Sequence, residues 1–248
     1  MSVNQLVVVI GGTRGTGLLI AQRLQRQGVP VRILARNPVS AQARLGPTFH
    51  LIAGDITQQD TIPRALEDAT HVVFTAGCRS GRPTTERHIR ETEYGGVVNT
   101  LVAAQRVGFG GRFLYMTASG VTSRSWATVL LNLYKGNTLV WRERAEHEIR
   151  GSGLEYTIIR AGILLNRPGG QRALVVTQRP LPLSIRYRVA RADVADVFVA
   201  ALGHPRAVRA TFEVVWSDGP PRDSLPMLLD QLKPDEPADS FASDLTSA

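Results

Sequence analysis

The first seventeen residues constrain the fold of this chain more than any other part of its sequence. A short apolar run at residues 7–10 is followed by glycines at positions 11, 15 and 17, and a second apolar segment begins at Leu18. At this spacing Gly11 allows a tight turn, Gly15 lets the backbone approach a pyrophosphate, and Gly17 lets a helix pack closely on the strand. The sequence therefore predicts the strand, loop and helix that begin a dinucleotide-binding fold.

Short apolar runs then alternate with helix-length amphipathic segments as far as Arg160, which is typical of a βαβ series. Several runs are almost wholly apolar, as strands buried on both faces of a parallel sheet require. We therefore predict an α/β fold with a Rossmann-like, doubly wound parallel sheet. The predicted strands are residues 7–10, 31–34, 50–53, 71–75, 113–116 and 156–160. The predicted helices are residues 17–27, 63–68, 91–107 and 141–150.

The pattern becomes less regular after Gly162. It predicts a loop at residues 166–170, short strands at 174–177 and 212–216, and helices at 192–202 and 224–232. We interpret residues 163–233 as a small C-terminal substrate-side lobe that is integrated into a single domain spanning residues 1–233. The proline- and acid-rich residues 234–248 predict a disordered tail.

The net charge of +8 comes from arginine, because Lys135 and Lys233 are the only lysines. Basic patches can bind nucleic acid, but these arginines are scattered and not interleaved with aromatic residues, so we expect no nucleic-acid partner. No apolar run reaches the roughly 18 residues that a membrane-spanning helix needs. The single cysteine, Cys78, excludes an internal disulfide and fits a reducing cytoplasm, where we expect the protein. No metal site is predicted.

The second predicted strand indicates which dinucleotide is bound. Sites for NADH carry an acidic residue there for the ribose 2′-hydroxyl, but this chain has none between positions 28 and 51. Arg36 follows the strand instead and can pair with a 2′-phosphate, while Arg14 in the glycine loop can close on the same group. We therefore predict NADP(H) as the cofactor; as an alternative, both residues are ordinary surface arginines.

Other predicted cofactor contacts follow successive strands. Asp55 can meet the adenine amino group or simply form a turn, and the small residues after the fourth strand let the cofactor ribose pass. The contacts predicted from these positions are Gly11, Thr13, Arg14, Gly15, Thr16, Gly17, Arg36, Asn37, Asp55, Ile56, Thr75, Ala76 and Gly77.

With these motifs the chain resembles the short-chain dehydrogenase/reductase superfamily, and more closely its atypical, NmrA-like branch of NAD(P)H-binding proteins. The matching segments are residues 11–17, 36–38, 54–55, 144–146, 152–162 and 191–195. The resemblance implies further cofactor contacts at Thr117, Arg142, Ala161, Gly162 and Ile163. Ala161 departs from the family's usual proline, although backbone groups there can make the same contacts.

Active members of that superfamily use a serine, a tyrosine and a lysine four residues after the tyrosine. The resemblance assigns these positions to Ala118, Thr138 and Arg142, so all three residues are changed. The remaining catalytic candidates are Ser119, beside the first position, Tyr134, one helical turn before the second, and Arg142 itself. Tyr134 can equally be a packing residue.

A missing general acid favours some functions over others, because such a group contributes about 10²–10⁴-fold to a rate. The first hypothesis is an NADPH-dependent oxidoreductase for a conjugated acceptor, such as a quinone, a flavin or an enone. The second is a non-catalytic redox sensor or assembly protein, and the third is a ketone reductase or epimerase with displaced catalytic residues. Four apolar residues suggest an apolar small-molecule substrate, although core packing explains them too: Trp126, Leu130, Leu133 and Leu164. A monomer and a dimer both fit the sequence.

Overall fold

The computed structural model describes residues 5–78, 85–123, 128–129, 132, 137–221 and 223–236. The strands are β1 (Val7–Ile10), β2 (Val31–Ala35), β3 (His50–Ala53), β4 (His71–Phe74), β5 (Arg112–Ala118), β6 (Glu155–Ala161), β7 (Ile163–Leu165), β8 (Leu174–Thr177), β9 (Arg188–Ala190) and β10 (Ala210–Trp216). The helices are α1 (Gly15–Arg26), α2 (Pro38–Leu45), α3 (Pro63–Leu66), α4 (Glu86–Arg90), α5 (Gly96–Arg106), α6 (Thr138–Gly151), α7 (Arg191–Leu202) and α8 (Leu225–Leu229). A π-helical turn, Glu91–Gly95, joins α4 to α5.

The main sheet has eight strands in the order β3-β2-β1-β4-β5-β6-β10-β8, and every neighbouring pair is parallel except β10 with β8. The order reverses beside β1, which pairs with β2 on one side and with β4 on the other. Ligands of such sheets bind outside the carboxyl ends of the strands at this switch point. The predicted Rossmann-like, doubly wound fold is confirmed.

The side chains of β1 show how the sheet is held between two helical layers. All four are buried, and they alternate between two hydrophobic clusters, as the two-residue period of a strand requires. Val7 and Val9 join the cluster that contains α1 and α7, whereas Val8 and Ile10 join the cluster that contains α3, α5 and α6. A parallel sheet covered on both faces accounts for the wholly apolar runs of the sequence.

Some elements were not predicted. Helix α2 begins at Pro38, and the Asn37 side chain caps it by accepting a hydrogen bond from the Ser40 N–H at 2.9 Å. Only Ala41 of this helix is buried, so it lacks the apolar stripe that identifies most helices in a sequence. The short parallel pair β7–β9 was also missed.

The predicted lobe is part of the main sheet, because β8 and β10 are two of its strands. The predicted start of the tail at Pro234 differs from the structure, in which Asp235 is firmly held. Its carboxylate accepts hydrogen bonds from the Tyr156 hydroxyl at 3.0 Å and from the Thr211 hydroxyl at 2.6 Å. Residues 237–248 of the predicted tail lie outside the described residues.

Candidate functional site

The glycine loop has the tight geometry that the sequence predicts. Gly11 has a φ of +88°, and a Cβ atom there would lie 2.6 Å from the backbone nitrogen of Ala76, at the end of β4. A Cβ atom on Gly17 would lie 2.5 Å from the carbonyl oxygen of Gly11, so α1 packs directly on the loop. Gly15, with a φ of +57°, has open space where a side chain would be. The loop is therefore closed on its protein side and open beside Gly15.

The start of α1 offers hydrogen-bond donors to an anion in that space. The side chain of Arg14, the N-cap residue, does not cap the helix, and the first turn of α1 contains no acidic residue. The first N–H groups of a helix have no partner within the helix, and the helix dipole favours negative charge beside them. The buried hydroxyl of Thr16, on the first turn of α1, has no hydrogen-bond partner within the described parts of the chain. Free amides, open space and an unpaired hydroxyl fit a phosphate-bearing cofactor.

The predicted cofactor contacts that follow β2 and β3 differ in their exposure and in their contacts within the protein. Arg36 is exposed directly after β2. The Asn37 side chain caps α2, and the Asp55 carboxylate accepts hydrogen bonds from the N–H and the hydroxyl of Thr57, both at 2.9 Å. Ile56 packs against Gly96 of α5, where a Cβ atom would lie 2.7 Å from it. Asn37, Asp55 and Ile56 thus have structural roles, and their contacts with the cofactor stay predictions.

Arg142 lies beside Gly77, three residues after the end of β4, and its contact with the cofactor stays a prediction. Its guanidinium forms two hydrogen bonds to the Glu93 carboxylate, at 3.0 and 3.2 Å, and Glu93 also accepts the Cys78 N–H at 2.9 Å. Burial lowers the pKa of Arg142, but the Glu93 carboxylate outweighs this effect and raises it. Arg142 therefore remains a fixed cation and cannot carry protons to and fro.

Glu93 is a site residue that sequence reasoning missed. Its side chain is only 2% exposed, although helix α4, which directly precedes its π-helical turn, is mostly exposed. The π-helical turn Glu91–Gly95 shifts the helical register and points Glu93 toward Gly77, and a 3.6-residue period does not anticipate this shift.

Ser119 is buried just beyond the carboxyl end of β5. Its N–H donates to the Ala161 carbonyl at 2.9 Å, and its hydroxyl donates to the Glu213 carboxylate at 2.6 Å. Glu213 lies on β10 and also accepts the Leu181 N–H at 3.4 Å. Sequence reasoning missed Glu213 as well, since it is a single acid in the apolar run of β10. Tyr134, Trp126, Leu130 and Leu133 lie outside the described residues.

The segment after β6 is tied to the protein by its N–H groups. Gly162 donates to the Val214 carbonyl at 3.1 Å, and Ile163 donates to the Tyr187 carbonyl at 2.8 Å. The N–H groups of Gly162 and Ile163 are thus already paired, and the cofactor contacts of Ala161, Gly162 and Ile163 stay predictions. Thr75, at the end of β4, donates its hydroxyl to the Ile10 carbonyl at 3.1 Å and so joins β4 to β1.

The described ranges contain no helix that is long and apolar enough to cross a membrane. Nor do the described side chains include a group of three or more His, Cys, Asp or Glu residues able to hold a metal ion.

Comparisons with known proteins agree with this geometry. A family described as NAD(P)H-binding matches residues 11–205. Sanguinarine reductase from Eschscholzia californica is 31% identical over 237 residues, which cover 81% of this chain and 85% of that protein.

Two solved structures share the fold. One is a putative NAD-dependent epimerase/dehydratase from Bacillus halodurans, with a TM-score of 0.77 and 23% identity over 92% of this chain and 100% of that one. The other is an anaerobillin reductase from Escherichia coli O157:H7, with a TM-score of 0.71 and 19% identity over 88% of this chain and 100% of that one. The predicted nicotinamide cofactor and the predicted Rossmann-like fold are confirmed.

Proposed function

Since the chain belongs to the NAD(P)H-binding family, we propose that it is an NADPH-dependent reductase that acts on a conjugated small-molecule acceptor. The observation that carries this proposal is the ion pair between Arg142 and Glu93. In the superfamily that this chain resembles, a lysine at this position lowers the pKa of the catalytic tyrosine. The Arg142 guanidinium is instead paired with a carboxylate and does not release a proton. Thr138 stands at the position of that tyrosine, so the usual acid for a simple ketone is missing from its expected place.

A conjugated acceptor suits such a site. When hydride reaches a quinone, a flavin or an enone, the negative charge spreads over several atoms, so no strong acid is needed as the hydride arrives. A simple ketone develops a localised alkoxide and loses about 10²–10⁴-fold in rate without a positioned acid. The relationship to sanguinarine reductase supports a reductase rather than an epimerase.

NADPH is proposed over NADH because of the arginines near the adenosine end of the site. Arg36 is exposed after β2, and Arg14 is exposed in the glycine loop. The bound cofactor supplies hydride, while the chain supplies the amides of α1, the Gly15 space and the Arg142 cation. A free Cys78 thiol fits the reducing compartment in which NADPH is abundant, and a cytoplasmic location remains part of the proposal.

The deciding experiment follows loss of NADPH absorbance with quinones, flavins, enones and simple ketones as acceptors. We expect turnover with the conjugated acceptors and little with the ketones. Turnover with simple ketones alone would contradict the proposal and favour displaced catalytic residues. Tight NADPH binding without turnover on any acceptor would favour the non-catalytic sensor instead.

A further inference from the structure

The acidic residues of this chain are unevenly distributed, and the two segments that follow β5 and β6 contain none. Residues 119–142 and 162–192 hold nine of the 29 Lys and Arg residues and none of the 21 Asp and Glu residues. The rest of the chain, with 20 basic and 21 acidic residues, is almost neutral. The net charge of +8 therefore comes from segments that begin at the carboxyl ends of β5 and β6, the edge of the sheet at which ligands of this fold bind.

A β-turn at residues 184–187 carries one of these arginines at its tip. The Ser184 carbonyl accepts the Tyr187 N–H at 3.0 Å, which closes the turn, and the Ser184 hydroxyl accepts the Arg186 N–H at 3.3 Å. The two central residues, Ile185 and Arg186, are exposed, and Ile185 is 78% exposed. The tip therefore presents an apolar group and a cation side by side.

Both ends of this turn are anchored at the carboxyl edge of the sheet. Before the turn, Leu183 packs on Gly120, where a Cβ atom would lie 2.9 Å from the Leu183 backbone nitrogen. After the turn, the Tyr187 carbonyl accepts the Ile163 N–H at 2.8 Å. Gly120 lies two residues beyond the end of β5, and Ile163 lies two residues beyond the end of β6. The turn therefore spans the carboxyl ends of these two neighbouring strands.

The strand order places the turn on the nicotinamide side of the proposed cofactor site. The glycine loop follows β1, and Arg36, the proposed partner of the 2′-phosphate, follows β2. The adenosine end of the cofactor thus points toward β2, and its nicotinamide end points the other way, toward β4, β5 and β6. The phosphate groups lie at the glycine loop and at Arg36, so they do not neutralise the cation of the turn.

The protein itself does not neutralise that cation either. Neither Arg186 nor Arg188, which is also exposed, forms an ion pair within the part of the chain that the structure describes. The Glu213 carboxylate contacts the same connecting segment through the Leu181 N–H, but it is only 1% exposed and lies 3.7 Å from Arg160. Exposed cations without counter-charges attract anionic ligands, and a guanidinium can bind a carboxylate or a sulfonate through two parallel hydrogen bonds.

We propose that this turn selects acceptors that carry an anionic substituent, which Arg186 binds while the conjugated ring packs on Ile185, an inference that rests on the reductase function proposed above. Arg188 adds a second positive charge two residues away. Arg186 determines specificity by holding the substrate and supplies no proton, so the reaction still proceeds without a positioned acid. The substrate class is thus a conjugated acceptor with a carboxylate or sulfonate group, which refines the apolar acceptor that the sequence suggests.

The main test compares 1,2-naphthoquinone with 1,2-naphthoquinone-4-sulfonate, which share the reacting ring and differ in one anionic group. We expect Arg186→Gln to raise KM for the sulfonate about tenfold, as loss of a hydrogen bond to a charged group predicts, and to leave its kcat unchanged. Both constants for the neutral quinone should stay at their wild-type values once the uncatalysed oxidation of NADPH is subtracted. Arg186→Lys keeps the charge and should restore part of the preference.

Arg206→Gln is the matched control, because it removes the same charge from an exposed arginine at the opposite, amino edge of the sheet, before β10. Its KM values for both acceptors should match those of the wild type. An equal rise of the sulfonate KM in Arg206→Gln and Arg186→Gln would show only a general attraction between a cationic protein and an anion, and would overturn the proposal. An unchanged sulfonate KM in Arg186→Gln would overturn it as well.

Binding of naphthalene-2-sulfonate tests the site without turnover, because this anion does not accept hydride. In the presence of saturating NADP⁺, calorimetry should show that the wild type binds it about tenfold more tightly than neutral 2-naphthol, and that Arg186→Gln loses this difference. Equal binding of the two compounds by the wild type overturns the anion site even if the protein reduces quinones. A preference for the sulfonate without reduction of either quinone would refute the proposed reductase function while supporting the anion site.

Discussion

Arg36 is the residue on which the choice between the two nicotinamide cofactors is expected to depend. Arg36→Asp replaces a cation beside the proposed 2′-phosphate with an anion, so NADPH should bind about 10- to 100-fold more weakly, as loss of a hydrogen bond to a charged group predicts. NADH affinity should change little. Nicotinamide fluorescence measures both dissociation constants, and Arg44→Asp, an exposed charge reversal on α2, is the control. Equal weakening of both cofactors would show that Arg36 does not contact the 2′-phosphate.

Gly17 is the residue at which a single methyl group should disturb the whole glycine loop. An alanine there would place its Cβ atom 2.5 Å from the Gly11 carbonyl, and only movement of α1 or of the loop relieves that contact. We expect Gly17→Ala to lower the free energy of unfolding by about 1–3 kcal/mol, as overpacking usually does, and to weaken NADPH binding. Urea unfolding checks the first effect. Gly203→Ala, where a side chain would meet nothing, should have neither effect.

The π-helical turn between α4 and α5 is the element that brings a carboxylate to Arg142. Glu93→Ala would leave Arg142 partly buried without its counter-charge, since 22% of that side chain is exposed. We expect a loss of about 2–4 kcal/mol in unfolding free energy, below the cost for a wholly buried pair. Denaturant unfolding measures it. Glu91→Gln changes an exposed pair on the same turn and should have almost no effect, so similar losses in the two variants would mean that the Arg142 pair has no special role.

The elements that could be predicted from the sequence are those whose signal is local. The strands β1 to β6 coincide with short, mainly apolar runs, and the glycines of the loop mark its turn and its close helix packing. Helix α2 has one buried residue, so its only signals are the cap at Asn37 and the proline that follows. The burial of Glu93 depends on a π-helical turn, and that of Glu213 on which strands become neighbours of β10. Tertiary contacts decide both, and no local pattern records them.

The pH dependence of the stability of the whole molecule should be influenced by His71, at the amino end of the sheet. This ring contacts the Thr70 hydroxyl and the Leu202 carbonyl. Burial is the main cause that lowers the pKa of His71, and the nearby Arg112 cation lowers it further. As the pH falls below the ordinary histidine pKa of 6.5, His71 therefore takes up a proton in the unfolded chain before it does so in the folded protein. We expect stability to fall there by up to about 1.4 kcal/mol per pH unit from this group.

Thermal unfolding between pH 7.5 and 5.5 measures this effect. His71→Gln cannot be protonated, so its melting temperature should fall less over that range than that of the wild type. Parallel melting profiles for the two proteins would show that His71 does not contribute to acid sensitivity.

The contacts of Asp235 determine where a mechanical force applied to the chain after Glu236 first reaches the sheet. Its N–H donates to the Arg209 carbonyl, and its carboxylate binds β6 through Tyr156 and β10 through Thr211. A pull on the chain after Glu236 is therefore transmitted first to two interior strands of the sheet and not to the edge strand β8. A fusion partner joined on that side would be tethered from a fixed origin at Asp235.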